Sequence, residues 1–275
     1  MTYREALEKG REQLTEAGIP DPHIDAELLL MHVCGCGKSE KFMNPGRVLS
    51  SDEEARLSEL LDRRCEHIPL QHLTGVQNFM GMDFKVSSGV LIPRADTEIL
   101  VEEVMRDGAN GASILDMCTG SGCIILSLIK YVSEVRGTGA DISTEALAIA
   151  RENGKTLGLA AEFIQSDLYE NIDGCFDIIV SNPPYIKTDV IATLMPEVRD
   201  HDPYIALDGG EDGLDFYRKI IAGAVSHLNR NGKVYLEIGY DEQDAVEEIL
   251  RNNSFKNITT IKDYSDLPRV VKAEI

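Results

Sequence analysis

The chain has 275 residues, enough for one large and one small domain, and its 43% hydrophobic content excludes wholesale disorder. Its 27 basic and 47 acidic residues give a formal net charge of −20, which opposes nonspecific attraction to phosphate backbones and anionic membranes. No segment approaches the roughly 18 apolar residues of a membrane span, and MTYREALEKGREQL mixes acids and bases where a signal segment is apolar. The expectation is a cytoplasmic protein, monomeric, with no membrane and no broad nucleic-acid face.

Thr2 and Glu5 have capping-box spacing and Leu7 and Leu14 share a face, so residues 2–17 read as an amphipathic helix. Pro20 and Pro22 punctuate, and the apolar run that ends before Gly35 reads as a second helix. Cys34-Gly35-Cys36 is one residue short of CxxC, no second pair accompanies it, and the six histidines are scattered, so no metal is expected. Ser39 opens a short third helix and Pro45-Gly46 interrupts it. Ser51 with Glu54 then caps a longer helix whose Leu57, Leu60, Leu61 and Cys65 form a stripe. Residues 1–74 thus read as a small helical bundle.

Two short alternating runs around Gly81 predict a β-hairpin within a linker over 75–92. DTEILVEEVMRD, capped by Asp96 or Thr97, opens the larger domain, 93–275. Strands are expected at 113–117, 136–141, 161–167, 176–181 and 233–238, with helices at 123–132, 144–158, 213–228 and 242–252. That alternation predicts an α/β fold with a mostly parallel sheet covered on both faces. The last runs, 256–263 and 269–275, suggest an antiparallel pair at its edge.

Thr119-Gly120-Ser121-Gly122 stands between a strand and a helix, where glycines let the backbone approach a ligand and the helix start offers N–H donors. G-x-G-x-x-G is not satisfied in either register, because position 118 is cysteine and position 125 is isoleucine. Asp141 ends the next strand, nineteen residues past Gly122, and suits the hydroxyls of a ribose, which indicates an adenosine-containing ligand without choosing between dinucleotide and sulfonium cofactors. Asp167 and Leu168 suit an adenine edge and face. Asp116, Asp141, Asp167 and Asn182 all fall at the carboxyl edge of the expected sheet, where open α/β sheets bind ligands.

Asn182-Pro183-Pro184-Tyr185 leaves a buried strand with two φ angles fixed and two backbone donors removed. Such a turn suits a planar amino group: Asn182 Oδ1 and the Pro183 carbonyl accept its two hydrogens, and Tyr185 packs on its face.

Together, GVLIPRADTEILV, ILDMCTGSG, IVSNPPYI, ALDGGEDGLDFYR, LEIGYDEQ and DLPRVVKA resemble the release factor glutamine methyltransferase family, within the class I S-adenosylmethionine-dependent methyltransferases. The resemblance implies a Rossmann-like, seven-stranded, mostly parallel sheet with an antiparallel edge strand, preceded by a helical substrate-recognition bundle and a linking hairpin. It implies N5-methylation of the glutamine in the Gly-Gly-Gln loop of peptide chain release factors, with S-adenosylhomocysteine as second product. On this reading Cys118, Thr119, Gly120, Ser121, Gly122, Asp141, Asp167, Leu168 and Asn182 hold the cofactor. Asn182, Pro183 and Tyr185 are catalytic; Asn182 through Tyr185 with Arg94 and Glu98 meet the substrate. A local Arg94–Glu98 ion pair is the rival reading for those two residues. The chain departs from the family's usual pattern at Cys118 (glycine), Ala95 (proline) and Asp202 (glutamate). The insertion 187–213 is expected to cover the slot and contact the partner. Adenine-N6 methylation of nucleic acid shares the tetrad but is disfavoured by the charge; a dinucleotide oxidoreductase is opposed by the broken glycine fingerprint, and a nucleotide sensor would leave the tetrad unexplained.

Overall fold

A computed structural model describes residues 1–37, 44 and 46–275. Two compact units divide them: Met1–Val76 with Met195–His201, and Gln77–Leu194 with Asp202–Ile275.

The smaller unit is helical, with helices Tyr3–Glu16, Pro22–Cys34, Ser51–Cys65 and Leu70–Thr74. Thr2 and Glu5 form the expected capping box. The second box is Ser50 with Glu53, one residue before the Ser51–Glu54 expectation. Both serines have a glutamate three places on, and only Ser50 keeps the extended backbone (φ −68°, ψ 163°) that an N-cap requires. The helix expected from Ser39 lies outside the described residues. Leu14, Leu29, Leu30, Leu57 and Leu61 bury the inward stripes. Within this unit Arg64 Nε donates to Asp25 at 2.7 Å, Arg64 Nη2 donates to Glu197 at 3.1 Å, and His67 stands 3.1 Å from the same Glu197 oxygen. Glu197 belongs to the short helix Pro196–Arg199, so part of the insertion packs with the helical unit.

Strands β1 (Val76–Phe79) and β2 (Met82–Lys85) form the hairpin around Gly81. The larger unit holds a seven-stranded sheet of β3 (Ser113–Met117), β4 (Arg136–Asp141), β5 (Glu162–Gln165), β6 (Phe176–Ser181), β7 (Leu228–Glu237), β8 (Lys256–Lys262) and β9 (Pro268–Glu274). Their order is β5-β4-β3-β6-β7-β9-β8. The pairs from β5 to β7 are parallel, whereas β9 runs antiparallel to both neighbours, one place in from the edge strand β8. Apolar side chains on both faces explain the continuous runs of the central strands: Ile114, Ile178, Val180 and Tyr235 pack on one side, Leu115, Ile179, Val234 and Leu236 on the other.

Helix Ala95–Arg106 starts one residue before the expected Asp96 or Thr97 cap. Arg94 occupies the N-cap with no side-chain cap bond, and Thr97, at the third helical position, is 2% exposed. Its hydroxyl is used elsewhere, as the site shows.

Candidate active site

The strand order changes direction between β3 and β6, and the segments that leave those strands at their carboxyl ends border one cleft of about 270 Å³. After β3 the chain turns through Cys118 (φ 61°), Gly120 (φ 55°) and Gly122 (φ 78°) into helix Cys123–Tyr131. A side chain at Gly122 would stand 3.2 Å from Ala150 and 3.3 Å from Phe163, so that glycine serves packing as well as the turn. Gly120 is different: a Cβ there meets nothing within 4 Å, and the residue lines the cleft. Thr119 braces the turn, its hydroxyl donating to Asp116 at 2.6 Å and its N–H to Ala140 at 3.0 Å. Asp116 lies beneath the cleft, fully buried, and burial raises its carboxyl to about 7.

Asp141 at the end of β4 faces this turn. Its two oxygens accept from the N–H groups of Gly120 and Ser143, each at 2.9 Å. Burial raises its pKa despite these bonds. Asp167 and Leu168 line the cleft beside it, Leu168 at φ 50°, a turn held by Ser166 Oγ donating to the Leu168 carbonyl at 2.6 Å. Two non-glycine residues, Cys118 and Leu168, thus carry left-handed backbone at the cleft wall, a conformation costing about 1–2 kcal/mol each.

The tetrad enters from β6. Asn182 and Pro184 line the cleft; Pro183 and Tyr185 do not. Asn182 Nδ2 donates to Thr97 Oγ1 at 3.2 Å. The Tyr185 hydroxyl points away from the cleft wall to Glu237 Oε1, 3.4 Å off. The β6–β7 register pairs Ser181 with Leu236, so Asn182 and Glu237 are the next residues out of adjacent strands. Glu237 is 1% exposed, and its Oε2 has no hydrogen bond at normal distance. Burial raises this carboxyl to about 7, against the opposing influence of the Thr97 hydroxyl, Arg269 and the Tyr185 hydroxyl.

The tetrad is also gripped from outside. Ile186 and Asp208 form a parallel bridge, with the Ile186 N–H donating to Leu207 at 3.0 Å and Gly209 N–H to Ile186 at 2.8 Å. A Cβ at Gly209 would fall 2.7 Å from Tyr185 Cα, and one at Gly213 would fall 2.6 Å from the Tyr185 carbonyl. These glycines exist so that one backbone can lie directly on another. Pro203, Ile205 and Ala206 of the same insertion line the cleft.

The rival reading, a local Arg94–Glu98 ion pair, is not what the structure shows. Arg94, which lines the cleft, donates to Asp202 at 2.5 Å, and Glu98 instead accepts from the Met80 N–H at 2.5 Å. Arg94 precedes the helix in extended conformation, which turns its side chain from the helical ladder that an i, i+4 pair needs. Among the described residues no group of three or more His, Cys, Asp or Glu side chains is placed to hold a metal ion.

Residues 5–75 match the PrmC N-terminal domain family and residues 93–197 the methyltransferase small domain family. A release factor glutamine methyltransferase of Agrobacterium fabrum is 43% identical, with 98% of this chain and 96% of that protein aligned. The chain belongs to the release factor glutamine methyltransferase family. A family member from Geobacter sulfurreducens is 38% identical over 100% of this chain and 97% of its own length. The solved structure of a methyltransferase from Pyrococcus furiosus shares the fold, with a TM-score of 0.56 at 20% identity over 71% of this chain and 90% of that one.

Seen as a member of this methyltransferase family, the chain contributes two residues that its motifs alone did not single out. Thr97 sits inside RADTE, where it reads as a helix cap, and Glu237 inside the expected strand 233–238, where it reads as part of the strand and nothing more. A signal was available for the second: a glutamate following the buried run Val234–Leu236 on a central strand demands a partner.

Proposed function

We propose that the protein transfers a methyl group from S-adenosylmethionine to the side-chain nitrogen N5 of the glutamine in the Gly-Gly-Gln loop of peptide chain release factors, giving N5-methylglutamine and S-adenosylhomocysteine. What carries the reading is that the glycine turn with Asp141 and the tetrad with Asn182 border the same cleft at the sheet's switch point. The residues present fit the donor: Gly120 presents bare backbone to open space, Asp141 stands at the ribose side, and Asp167 with Leu168 offers a polar edge and an apolar wall. Cys118, Thr119 and Ser121 complete that cradle, and Gly122 makes the turn that carries them into the helix. Held there, S-adenosylmethionine would supply an electrophilic methyl carbon, the C–S electron pair staying with sulfur while the amide nitrogen takes the methyl and gives up one proton to water.

An amide nitrogen is a poor nucleophile because its lone pair is delocalised, so the chain's contribution is orientation. Asn182 Oδ1, on the cleft wall, takes one amide hydrogen; the Pro183 carbonyl, outside that lining, takes the other once the loop is seated, Pro184 closes the wall, and Tyr185 holds the turn from behind. Arg94 meets the approaching loop, with Asp202 fixing its direction; Glu98 steadies the hairpin turn at Met80. Residues 1–74 serve substrate recognition, 75–92 link, and 93–275 carry the transfer. No described helix is long and apolar enough to cross a membrane, and the release factor is the partner.

The test incubates the protein with labelled S-adenosylmethionine and, separately, a release factor, that factor with its loop glutamine replaced, and duplex DNA, and maps label by peptide mass analysis. Label on the loop glutamine alone is expected. Label on DNA, or on the factor lacking that glutamine, overturns the assignment.

A further inference from the structure

The amide of Asn182 works as an acceptor only if its oxygen, not its nitrogen, is presented to the substrate. The two ends are nearly isosteric, so packing cannot choose between them; hydrogen bonding must. In the structure the choice is made by Thr97, which receives Asn182 Nδ2 at 3.2 Å. A hydroxyl has one hydrogen and can itself be donor or acceptor, so Thr97 transmits a polarity set by whatever lies behind it.

We propose that Glu237 sets that polarity: its buried carboxylate takes the Thr97 hydroxyl hydrogen, leaving Thr97 Oγ1 only able to accept, so that Asn182 Nδ2 turns to it and Asn182 Oδ1 is left for the substrate amide. The structure shows no direct Thr97–Glu237 hydrogen bond; what stands behind the proposal is the placement of Glu237 and an oxygen that lacks a donor, with Thr97 among the groups acting on it. Glu237 emerges beside Asn182 from the adjacent strand, is 1% exposed, and has an oxygen with no hydrogen bond at normal distance. The Thr97 hydroxyl favours its charged form, and the Tyr185 hydroxyl fixes the other oxygen from 3.4 Å. Glu237 touches neither substrate nor donor and is a positioning residue. The inference rests on the methyl-transfer reading, since an acceptor-facing Asn182 has meaning only for a substrate that brings N–H groups.

The arrangement reverses when Glu237 is neutral. A protonated carboxyl can donate to Thr97, whose hydroxyl is then free to donate to Asn182 Oδ1, turning the amide nitrogen toward the cleft. The groups facing Glu237 are the Thr97 and Tyr185 hydroxyls, Arg269, which favours the charge, Asp96, which opposes it, the Tyr217 hydroxyl, which donates to the Glu237 carbonyl at 2.9 Å, and the Cys123 thiol; Glu242 and Arg94 act on Tyr185 behind them. With burial raising this carboxyl to about 7, the ionised form gains as pH rises through neutrality, and turnover rises with it.

The experiment measures kcat against pH, and S-adenosylhomocysteine affinity, for wild type, Glu237→Gln, Thr97→Val and Thr97→Ser. Expected are an acid limb near neutral pH in wild type, its disappearance in Glu237→Gln with kcat down about tenfold or more, unchanged cofactor affinity, and restoration of kcat in Thr97→Ser but not Thr97→Val. An acid limb that persists in Glu237→Gln, or equal behaviour of the two Thr97 variants, overturns the inference. If Glu237→Gln fails to fold, the Thr97 pair decides alone. Wild type that never labels the loop glutamine defeats the functional reading instead, so the two failures are distinguishable.

Discussion

Arg94 and Asp202 stand 108 positions apart in the chain and 2.5 Å apart in space, the guanidinium half-exposed in the cleft wall and the carboxylate side chain fully buried. The pair joins the segment before the first helix of the larger unit to the insertion after the tetrad. Arg94→Ala removes a guanidinium from a fully buried carboxylate and is expected to cost about 2 kcal/mol of stability. Arg94→Lys keeps the charge but not the fork and should fall between. Chemical denaturation of the three proteins checks this; equal midpoints for Arg94→Ala and wild type would sink it.

Asp141→Ala removes the acceptor of two backbone N–H groups, one of them from Gly120. The glycine turn loses its brace along with its ribose-side acid, and S-adenosylhomocysteine binding should weaken about tenfold to a hundredfold. Calorimetric titration reads this directly. Unchanged affinity would remove Asp141 from the cofactor site.

Cys118 holds φ 61° where glycine carries no steric penalty. Cys118→Gly is expected to stabilise the protein by up to about 1 kcal/mol, the relieved strain being partly offset by the freer unfolded chain. Cys118→Val, β-branched at the same angle, should instead destabilise and weaken cofactor binding. A glycine variant less stable than wild type would mean that the half-buried thiol contributes more than its backbone costs. Desolvation and the nearby Asp141 and Asp116 push this half-buried thiol well up, so alkylation at pH 8 should be slower than for a free cysteine.

Glu242 is 5% exposed and raised to about 7 by burial, although the Gly239 N–H and the Tyr217 hydroxyl both bond its Oε2. A folded pKa above the unfolded value of 4.5 means that the folded state resists charging, so this group's contribution to stability is present at acid pH and is lost as pH rises from about 4.5 to about 7. Glu242→Gln keeps an oxygen for both bonds and cannot charge. It should match wild type at pH 5 and exceed it at pH 8, with thermal melts at the two values as the check. A constant difference across pH would contradict the assignment.

The sheet was legible in the sequence because its strands are short apolar runs with an acid or amide at the end, and such runs have few other fates. The expected strands at 113–117, 136–141 and 176–181 coincide with those observed, and the glycine turn and Asp141 share one cleft with Asn182. What escaped were relations between segments. Arg94 has an acid four places on, yet chose one beyond the tetrad; the helix cap that Asp96 or Thr97 promised was given up so that Thr97 could serve Asn182. The place of β9 inside the edge likewise depends on pairing, since alternation fixes which face a residue occupies and says nothing of which strand lies next to it.

The bridge between Ile186 and Asp208 has a consequence for variation. It closes residues 187–207 into a loop with both feet pinned on the tetrad's doorstep, by backbone contacts so close that Gly209 and Gly213 admit no side chain. A substitution at an exposed position of that loop leaves these backbone contacts to the tetrad in place. The surface around the cleft is thereby free to be re-cut for a different partner while the atoms that orient the amide stay where they are.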